Sequence, residues 1–400
     1  MSTPEPRPPR RFFRVSLRGL MLLVLLIAAP LGWIVRSAHV QRDAVAAIVR
    51  AGGGVRYDRQ YKDDKRVNGP LRTPGWLADW VGVDYLDTVT TAFYRPGAVD
   101  ADLAHVGALT SLEMLTLDRT AVTDAGLEHL KGLHRLRRLY LSQTAVSGRG
   151  LVHLKGMTDL RLLSLGGTKV DGVGMEHIRG LTKLEQLSLS GTKVDDAGLA
   201  HLKGMRNLTN LNLTGTAVTG AGMMNLQGMS KLQNLELRET AVDSLAGLRE
   251  MSGLTTLGLA SAAVTDAGLA NLPEMSALAT LRLSGTGVTD AGLKHLEGMS
   301  KLNVLELWQT AVTDAGLSHL GGLDGLVRLD VSETQVRGAG LVDLGGLSSL
   351  SSLSLRGTKI DDASLAHLDG LTGLKGLYLA DTPITDAGLV HLTGLPSLSI

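Results

Sequence analysis

The segment Leu109–Gly132 recurs along most of the chain, and this repetition restricts the fold more than any other feature. Eleven units of 24 residues and one of 22 residues, Met229–Glu250, follow one another without a gap from Leu109 to Gly394. A single unit is too small to bury its own leucines, whereas stacked units bury them against each other. The sequence therefore predicts a curved solenoid of twelve units.

Each unit combines a strand with a returning segment. In the first unit Leu115 and Leu117 alternate with polar residues, which is typical of a short strand. The following VTDAGLEHL segment begins with the helix-capping residue Thr123 and carries an apolar stripe. A period of roughly 20–29 residues with the pattern L-x-x-L-x-L is the signature of leucine-rich repeats. Residues 109–400 are therefore expected to form a leucine-rich-repeat horseshoe, an α/β repeat solenoid with its strands on the inner wall.

A threonine follows the strand of nearly every unit, at the position of Thr120, where leucine-rich repeats usually carry asparagine. Its hydroxyl can donate to a carbonyl of the turn after the strand, so the threonines are expected to form a ladder. Ala262 interrupts this ladder in the seventh unit.

The composition excludes several classes of protein. With 40 basic and 39 acidic residues, the chain has no overall charge that would attract nucleic acid or acidic lipid. Aromatic residues make up only 3% of the sequence, which argues against stacking on single-stranded nucleic acid. The chain contains no cysteine, which excludes disulfide-bonded repeats, thiolate zinc sites and cysteine nucleophiles.

The N-terminal residues predict a transmembrane anchor over residues 19–36. Residues 1–18 contain five arginines and four prolines and are expected to form a basic, disordered cytoplasmic tail. Gly19–Val35 carries no charge, and as a helix it would be about 26 Å long, close to the ~30 Å core of a bilayer. More arginines precede this segment than follow it at Arg36 and Arg42, which predicts a single-pass protein of the cytoplasmic membrane with the repeats outside. A cleaved signal peptide is the alternative, although a typical cleavage pattern is absent.

Residues 37–108 are expected to form an N-terminal helix and a small α/β cap, because the ends of a solenoid need atypical covering units. The predicted elements are a helix at His39–Ala51, a strand at Val55–Tyr61, a short helix from Thr73 and a degraded repeat at Leu86–Ala108. At the other end, Leu395–Ile400 begins a further unit and stops. This end is either a natural closing strand or a surface for self-association.

Several motifs resemble those of the membrane-anchored leucine-rich-repeat proteins of planctomycete bacteria. They are the repeat Thr120–Gly132, the basic SLRGLMLLVLLI opening, the segment Gln41–Asp58 and the terminal LPSLSI. The resemblance implies a bacterial envelope protein in a periplasm-like compartment. The repeats are also similar to those of F-box ubiquitin-ligase receptors, which recruit substrates, but no F-box-like module precedes them here. A substrate-recruiting role is therefore only a remote alternative.

The concave strands of a solenoid make its binding surface, so the outward residues of the strands are the candidate site. Most of them are small and neutral, but larger charged residues occur from the sixth to the eleventh unit. Trp308 stands out because its predicted neighbours, Ser284 and Ser332, are too small to cover it, and tryptophan is enriched at binding hot spots. The alternative is an ordinary exposed aromatic among solvated charges. The predicted partner-binding residues are Glu236, Arg238, Arg282, Glu306, Trp308, Asp330, Glu333 and Arg356.

The sequence contains little that indicates a catalytic site or a metal site. Histidines from His129 to His391 recur at one repeat position, but asparagine or aspartate fills it in other units, which favours hydrogen bonds over metal ligation. Glu306 and Asp330 are predicted to lie side by side, yet no nucleophile, phosphate loop or metal motif accompanies them. We expect no catalytic residues, no metal and no cofactor, and therefore not an enzyme.

These observations predict a membrane-anchored protein that recognises a protein partner, or alternatively a glycan, on its concave face. No nucleic-acid partner is expected. The second hypothesis is a structural or self-associating envelope scaffold without a specific ligand on the concave face.

Overall fold

The computed structural model describes residues 17–58, 61–62, 65–66 and 87–398. Most of the predicted basic tail and the short helix predicted from Thr73 lie outside these residues. The cap predicted for residues 37–108 therefore stays a prediction as a whole. The described chain forms a 14-stranded sheet and a separate pair of two-residue strands.

The large sheet follows the chain order and is parallel except at its first strand. Strand β1 (Gly54–Tyr57) pairs antiparallel with β4 (Val89–Phe93), and β4 pairs parallel with β5 (Met114–Thr116). The separate pair consists of β2 (Tyr61–Lys62) and β3 (Lys65–Arg66). The remaining strands are β5 (Met114–Thr116), β6 (Arg138–Tyr140), β7 (Leu162–Ser164), β8 (Gln186–Ser188), β9 (Asn210–Asn212), β10 (Asn234–Glu236), β11 (Thr256–Gly258), β12 (Thr280–Arg282), β13 (Val304–Glu306), β14 (Arg328–Asp330), β15 (Ser352–Ser354) and β16 (Gly376–Tyr378).

The leucines of the repeat form one continuous core. The central residue of a typical strand, such as Leu115 or Leu211, is buried, and its two neighbours in the strand are partly exposed. Leucines from successive repeats pack into a single cluster that extends from Ala44 to Leu395. The predicted leucine-rich-repeat solenoid with its strands on one wall is confirmed.

The return segments are short helices, many of them 3-10 helices, which suit a unit too brief for a longer α-helix. In the first unit Thr123 caps the segment by accepting a hydrogen bond from the backbone N–H of Ala125. The α-helical segments are Asp124–Glu128, Asp196–Leu199, Gly220–Met223, Asp290–Leu293 and Asp314–Leu317. The 3-10 segments are Asp100–Ala108, Gly150–Leu154, Gly174–Ile178, Ala200–Leu202, Met224–Leu226, Ala246–Leu248, Asp266–Glu274, Lys294–Leu296, Ser318–Leu320, Ala339–Leu344, Asp362–Leu368 and Gly388–Leu392.

The predicted threonine ladder is present. The hydroxyl of Thr120 donates to the carbonyl of Leu117 over 2.6 Å, and Thr240 does the same with Leu237. These threonines are buried, and Ala262 occupies the equivalent buried position in the seventh unit. The ladder therefore closes the turn between each strand and its return segment.

The N-terminal helix α1 (Leu17–Arg50) is one continuous element of 34 residues. The predicted anchor segment Gly19–Val35 lies in the first half of α1, and the helix predicted at His39–Ala51 corresponds to its second half. Ala44 and Ile48 bury the second half of α1 against the start of the solenoid, whereas Leu26 and Trp33 in the first half are exposed. Among the residues that the structure describes, no helix has the length and hydropathy that crossing a membrane requires.

Candidate functional site

The concave wall consists of the side chains on either side of each buried strand leucine. The strands are in register, so equivalent residues of successive repeats form columns about 4.8 Å apart. The first column contains the residue before the leucine and the second column contains the residue after it. Along β10 to β13 the first column reads Asn234, Thr256, Thr280 and Val304, and the second column reads Glu236, Gly258, Arg282 and Glu306.

Arg282 joins two glutamates of the second column. Its Nη1 lies 3.0 Å from Oε1 of Glu236, and its Nε lies 3.5 Å from Oε2 of Glu306. Glu306 is on the adjacent strand, but Glu236 is two strands away, with Gly258 between them. A Cβ at Gly258 would collide with Oε2 of Glu236. The glycine therefore leaves the space through which the glutamate reaches Arg282.

The two ion pairs of Arg282 with Glu236 and Glu306 form a bridge across the strands. Trp308 lies beside this bridge in a depression of about 360 Å³. The tryptophan is 40% exposed, which agrees with the prediction that its small neighbours leave it uncovered. The depression is also lined by three small residues, Gly258, Ala260 and Ser284. Five of the eight predicted site residues line it, namely Glu236, Arg238, Arg282, Glu306 and Trp308.

The electrostatics of the depression centre on Glu236. Burial raises the pKa of Glu236 above its ordinary value, Arg282 opposes this rise, and Glu306 adds to it. Arg238 lies at the rim, where its Nη2 is 3.0 Å from Oε1 of Glu239. The depression thus holds charges of both signs next to an aromatic surface.

The other three predicted residues lie beyond the depression. Asp330 is in register with Glu306, as predicted, and accepts a 2.9 Å hydrogen bond from the backbone N–H of Ser332. Glu333 accepts a hydrogen bond of 2.8 Å from the side-chain amide of Gln309. Arg356 donates to Asp381 over 3.0 Å. The structure therefore separates the eight residues into a group of five and three residues on later repeats.

A second depression, of about 640 Å³, lies on the preceding repeats and was not predicted. Residues of both columns line it, and it contacts the first depression at Glu236 and Arg282. The residues predicted from the sequence all follow the central leucine of their strands, so the first column was not among them. The signal was present, because amide residues occupy one position of three successive repeats: Gln186, Asn210 and Asn234.

The recurring histidines lie on the return segments, away from both depressions. Nδ1 of His319 is 2.6 Å from Oε1 of Glu297 in the preceding repeat. At the equivalent position Asn225 donates a 3.2 Å hydrogen bond to the carbonyl of Asp196, also in the preceding repeat. These two contacts are of the kind expected from hydrogen bonding between repeats.

Comparison with known proteins supports the fold assignment. The family model for the leucine-rich repeat region matches residues 137–380, more than half of the chain. An internalin from Listeria monocytogenes has 24% sequence identity with this chain and a TM-score of 0.65, covering 78% of this chain and 85% of its own. A leucine-rich-repeat protein from Leptospira interrogans has 17% identity and a TM-score of 0.61, covering 76% of this chain and 81% of its own.

A search of curated proteins finds no match. At these identities the two solved structures show a shared fold, while the family model covers the repeats themselves. The chain belongs to the leucine-rich-repeat family, whose members mediate protein–protein interactions.

Proposed function

We propose that this chain recognises a protein partner through its concave wall, with the depression around Arg282 and Trp308 as the centre of contact. The observation that carries the proposal is the bridge of Glu236, Arg282 and Glu306 beside a tryptophan that is 40% exposed. Concave walls of solenoids provide extended binding surfaces. Tryptophan and arginine are the residue types on which binding energy concentrates.

The bridge prepares this surface for binding. Two carboxylates hold the Arg282 side chain, so less rotational freedom remains to be lost when a partner arrives. Glu306 and Asp330 form an acidic edge on neighbouring strands, and Glu306 lines the same depression as Trp308. The partner is therefore expected to place an apolar group on the tryptophan and a cationic side chain at the acidic edge.

The test compares the full-length wild type with a Glu306→Lys/Trp308→Ala double variant as bait in an envelope extract of the source organism. Bound proteins are identified by mass spectrometry. The proposal predicts a partner that the wild type retains and the double variant loses, because the variant removes the aromatic surface and reverses the acidic edge.

A matched double variant, Val173→Ala/Glu176→Lys, controls for loss of surface and reversal of charge. Both residues belong to a return segment away from the strands, and Val173 is 80% exposed. This control is expected to retain the partner. Equal capture by all three baits would reject the concave site, and capture of only the chain itself would favour the self-associating scaffold.

We also propose that the first half of α1 anchors the repeats at a membrane, with the N-terminus in the cytoplasm. Support comes from the uncharged sequence Gly19–Val35 and from exposed apolar side chains along α1. The exposed fractions are 63% for Met21, 69% for Leu26 and 72% for Trp33. Because α1 is continuous, an anchor here would hold the concave wall at a fixed angle to the membrane.

The absence of cysteine allows a direct test of the anchor and its orientation. Single cysteines introduced at Ser2 or Ser349 are treated in intact spheroplasts with a maleimide reagent that does not cross membranes. The proposal predicts labelling at position 349 only, together with retention of the chain in carbonate-washed membranes. Release by carbonate, or labelling at position 2 alone, would contradict it.

A further inference from the structure

We propose that the second depression, which extends from Tyr140 in the second repeat to Arg282 in the eighth, is a binding site for a neutral oligosaccharide. It has a volume of about 640 Å³, which lies in the usual range for ligand pockets, roughly 300–1,000 Å³. The amide column, defined as Gln186, Asn210 and Asn234, crosses it on three consecutive strands. Ser164, Ser188 and Asn212 form a parallel polar column on the other side of the buried leucines.

Several of these polar groups have unused hydrogen-bonding capacity. Within the described part of the chain, the side chains of Gln186 and Asn234 make no hydrogen bond, although each amide can donate two and accept two. The Asn210 oxygen accepts a hydrogen bond of 2.8 Å from the Thr209 hydroxyl. The Asn212 oxygen accepts one of 2.9 Å from the backbone N–H of Thr214. These bonds fix the two amides while leaving their NH₂ groups to donate to a ligand.

The charge of the depression favours an uncharged ligand. Its charged side chains are Glu236 and Arg282, which lie together at one end and form an ion pair of 3.0 Å. The remaining polar lining consists of amides and hydroxyls. A charged ligand would have to give up its hydration without gaining an opposite charge, and this is unfavourable.

The hydrogen-bonding side chains of the second depression favour a ligand that carries hydroxyl groups over a protein surface. Amide and serine side chains both donate and accept, and a sugar hydroxyl does the same, so each contact can be satisfied in either direction. Protein interfaces are instead depleted in serine and rely on aromatic and arginine anchors. Those residue types are concentrated in the first depression, around Arg282 and Trp308.

The dimensions of the polar columns favour a short chain of sugars over a single ring. From Tyr140 to Glu236 the second column crosses five strands, a distance of about 19 Å. Tyr140 lies at one end of the depression. The ligand we infer is therefore an extended, uncharged oligosaccharide that runs across the strands.

The test uses the full-length chain, purified without sugar-headed detergents, and three neutral probes: cellohexaose, maltohexaose and chitohexaose. Binding is measured by saturation-transfer difference NMR and isothermal titration calorimetry. At least one probe is expected to bind, with an affinity that does not change between low and high salt, because no charge is involved. Absence of binding by all three probes, or binding that high salt removes, would overturn the proposal.

The double variant Asn210→Ala/Asn234→Ala is expected to weaken binding by about tenfold or more, because two hydrogen bonds are lost. Asn271→Ala removes an amide from a return segment and is expected to leave binding unchanged. If the double variant unfolds, Gln186→Ala tests the same column at an exposed position. Equal binding by wild type and folded column variants would refute the site. Glu306 and Trp308 stay intact in all of them, so the result is separate from the test of protein recognition.

Discussion

Asp124 accepts two hydrogen bonds from Ser147, which stands at the start of the next repeat's return segment. Its carboxylate accepts the Ser147 backbone N–H over 2.7 Å and also accepts the Ser147 hydroxyl. This junction joins consecutive repeats outside the leucine core. The same two bonds connect Asp100 with Thr123, Asp196 with Thr219, Asp266 with Thr289, Asp290 with Thr313 and Asp362 with Thr385.

A glycine replaces this aspartate where the return segment of the next repeat begins with an aspartate, as at Asp195. Asp195 caps its own return segment by accepting the backbone N–H of Gly198 over 3.0 Å. A Cβ at Gly172 in the preceding repeat would collide with Oδ1 of Asp195. Each of these junctions therefore holds one carboxylate, which comes from either the earlier repeat or the later one.

We therefore expect Gly172→Asp to lower the free energy of unfolding by about 1–3 kcal/mol, because two carboxylates then compete for one space. Asp195→Thr alone is expected to cost less, about 1 kcal/mol, since threonine also caps a helix. The double variant recreates the Asp124–Ser147 type of junction and should recover most of the loss. Urea unfolding of the four proteins gives the coupling energy. Additive effects of the two substitutions would show that the carboxylates do not share a space.

The sequence was sufficient to predict the solenoid, because its leucine period repeats over twelve units and every copy must bury the same positions. It also indicated that Trp308 would be exposed, since Ser284 and Ser332, the equivalent residues of the adjacent repeats, are small. It could not show that Arg282 reaches Glu236 across Gly258, because that contact depends on side-chain conformations two strands apart. Similarly, nothing in the residues around Arg36 showed that α1 continues without a break.

The missing threonine at Ala262 is expected to lower the stability of the fold, and one substitution should restore it. Ala262 is 5% exposed and occupies the position of the buried threonines on either side, Thr240 and Thr286. Ala262→Thr restores the hydroxyl that would donate to the carbonyl of Leu259, and should raise the free energy of unfolding by about 1 kcal/mol. The reverse change, Thr240→Val, should lower it by about 1–3 kcal/mol. Thermal and urea unfolding measure both; a destabilised Ala262→Thr variant would mean that this repeat cannot hold the extra group.

Gly258→Ala is expected to break the bridge while leaving the fold nearly unchanged. The added methyl group would displace the carboxylate of Glu236 from Arg282, and an ion pair that solvent reaches contributes only about 0–1 kcal/mol to stability. The bridge is followed by NMR through the guanidinium N–H resonances of Arg282, including that of Nη1, which should change in Gly258→Ala and in Glu236→Gln alike.

Gly376→Ala is the matched control for this substitution, because β16 leaves ordinary van der Waals space for a Cβ there. The control should keep the Arg282 resonance of the wild type. If Gly258→Ala also keeps that resonance, the glycine is not what allows the bridge to form. A partner identified by capture should bind Gly258→Ala more weakly than Gly376→Ala.

The partly buried carboxyl of Glu236 is expected to make stability depend on pH in a direction opposite to that of a typical ion-paired acid. Burial raises its pKa above the ordinary value of 4.5 despite the opposing effect of Arg282. Between these two values the folded chain holds more protons than the unfolded chain, so the contribution of Glu236 to stability falls as the pH rises. Glu236→Gln removes this titration. Its free energy of unfolding relative to the wild type should therefore increase between about pH 4 and about pH 7, as measured by urea unfolding at matched ionic strength; a constant or decreasing difference would show that Arg282 outweighs burial at this site.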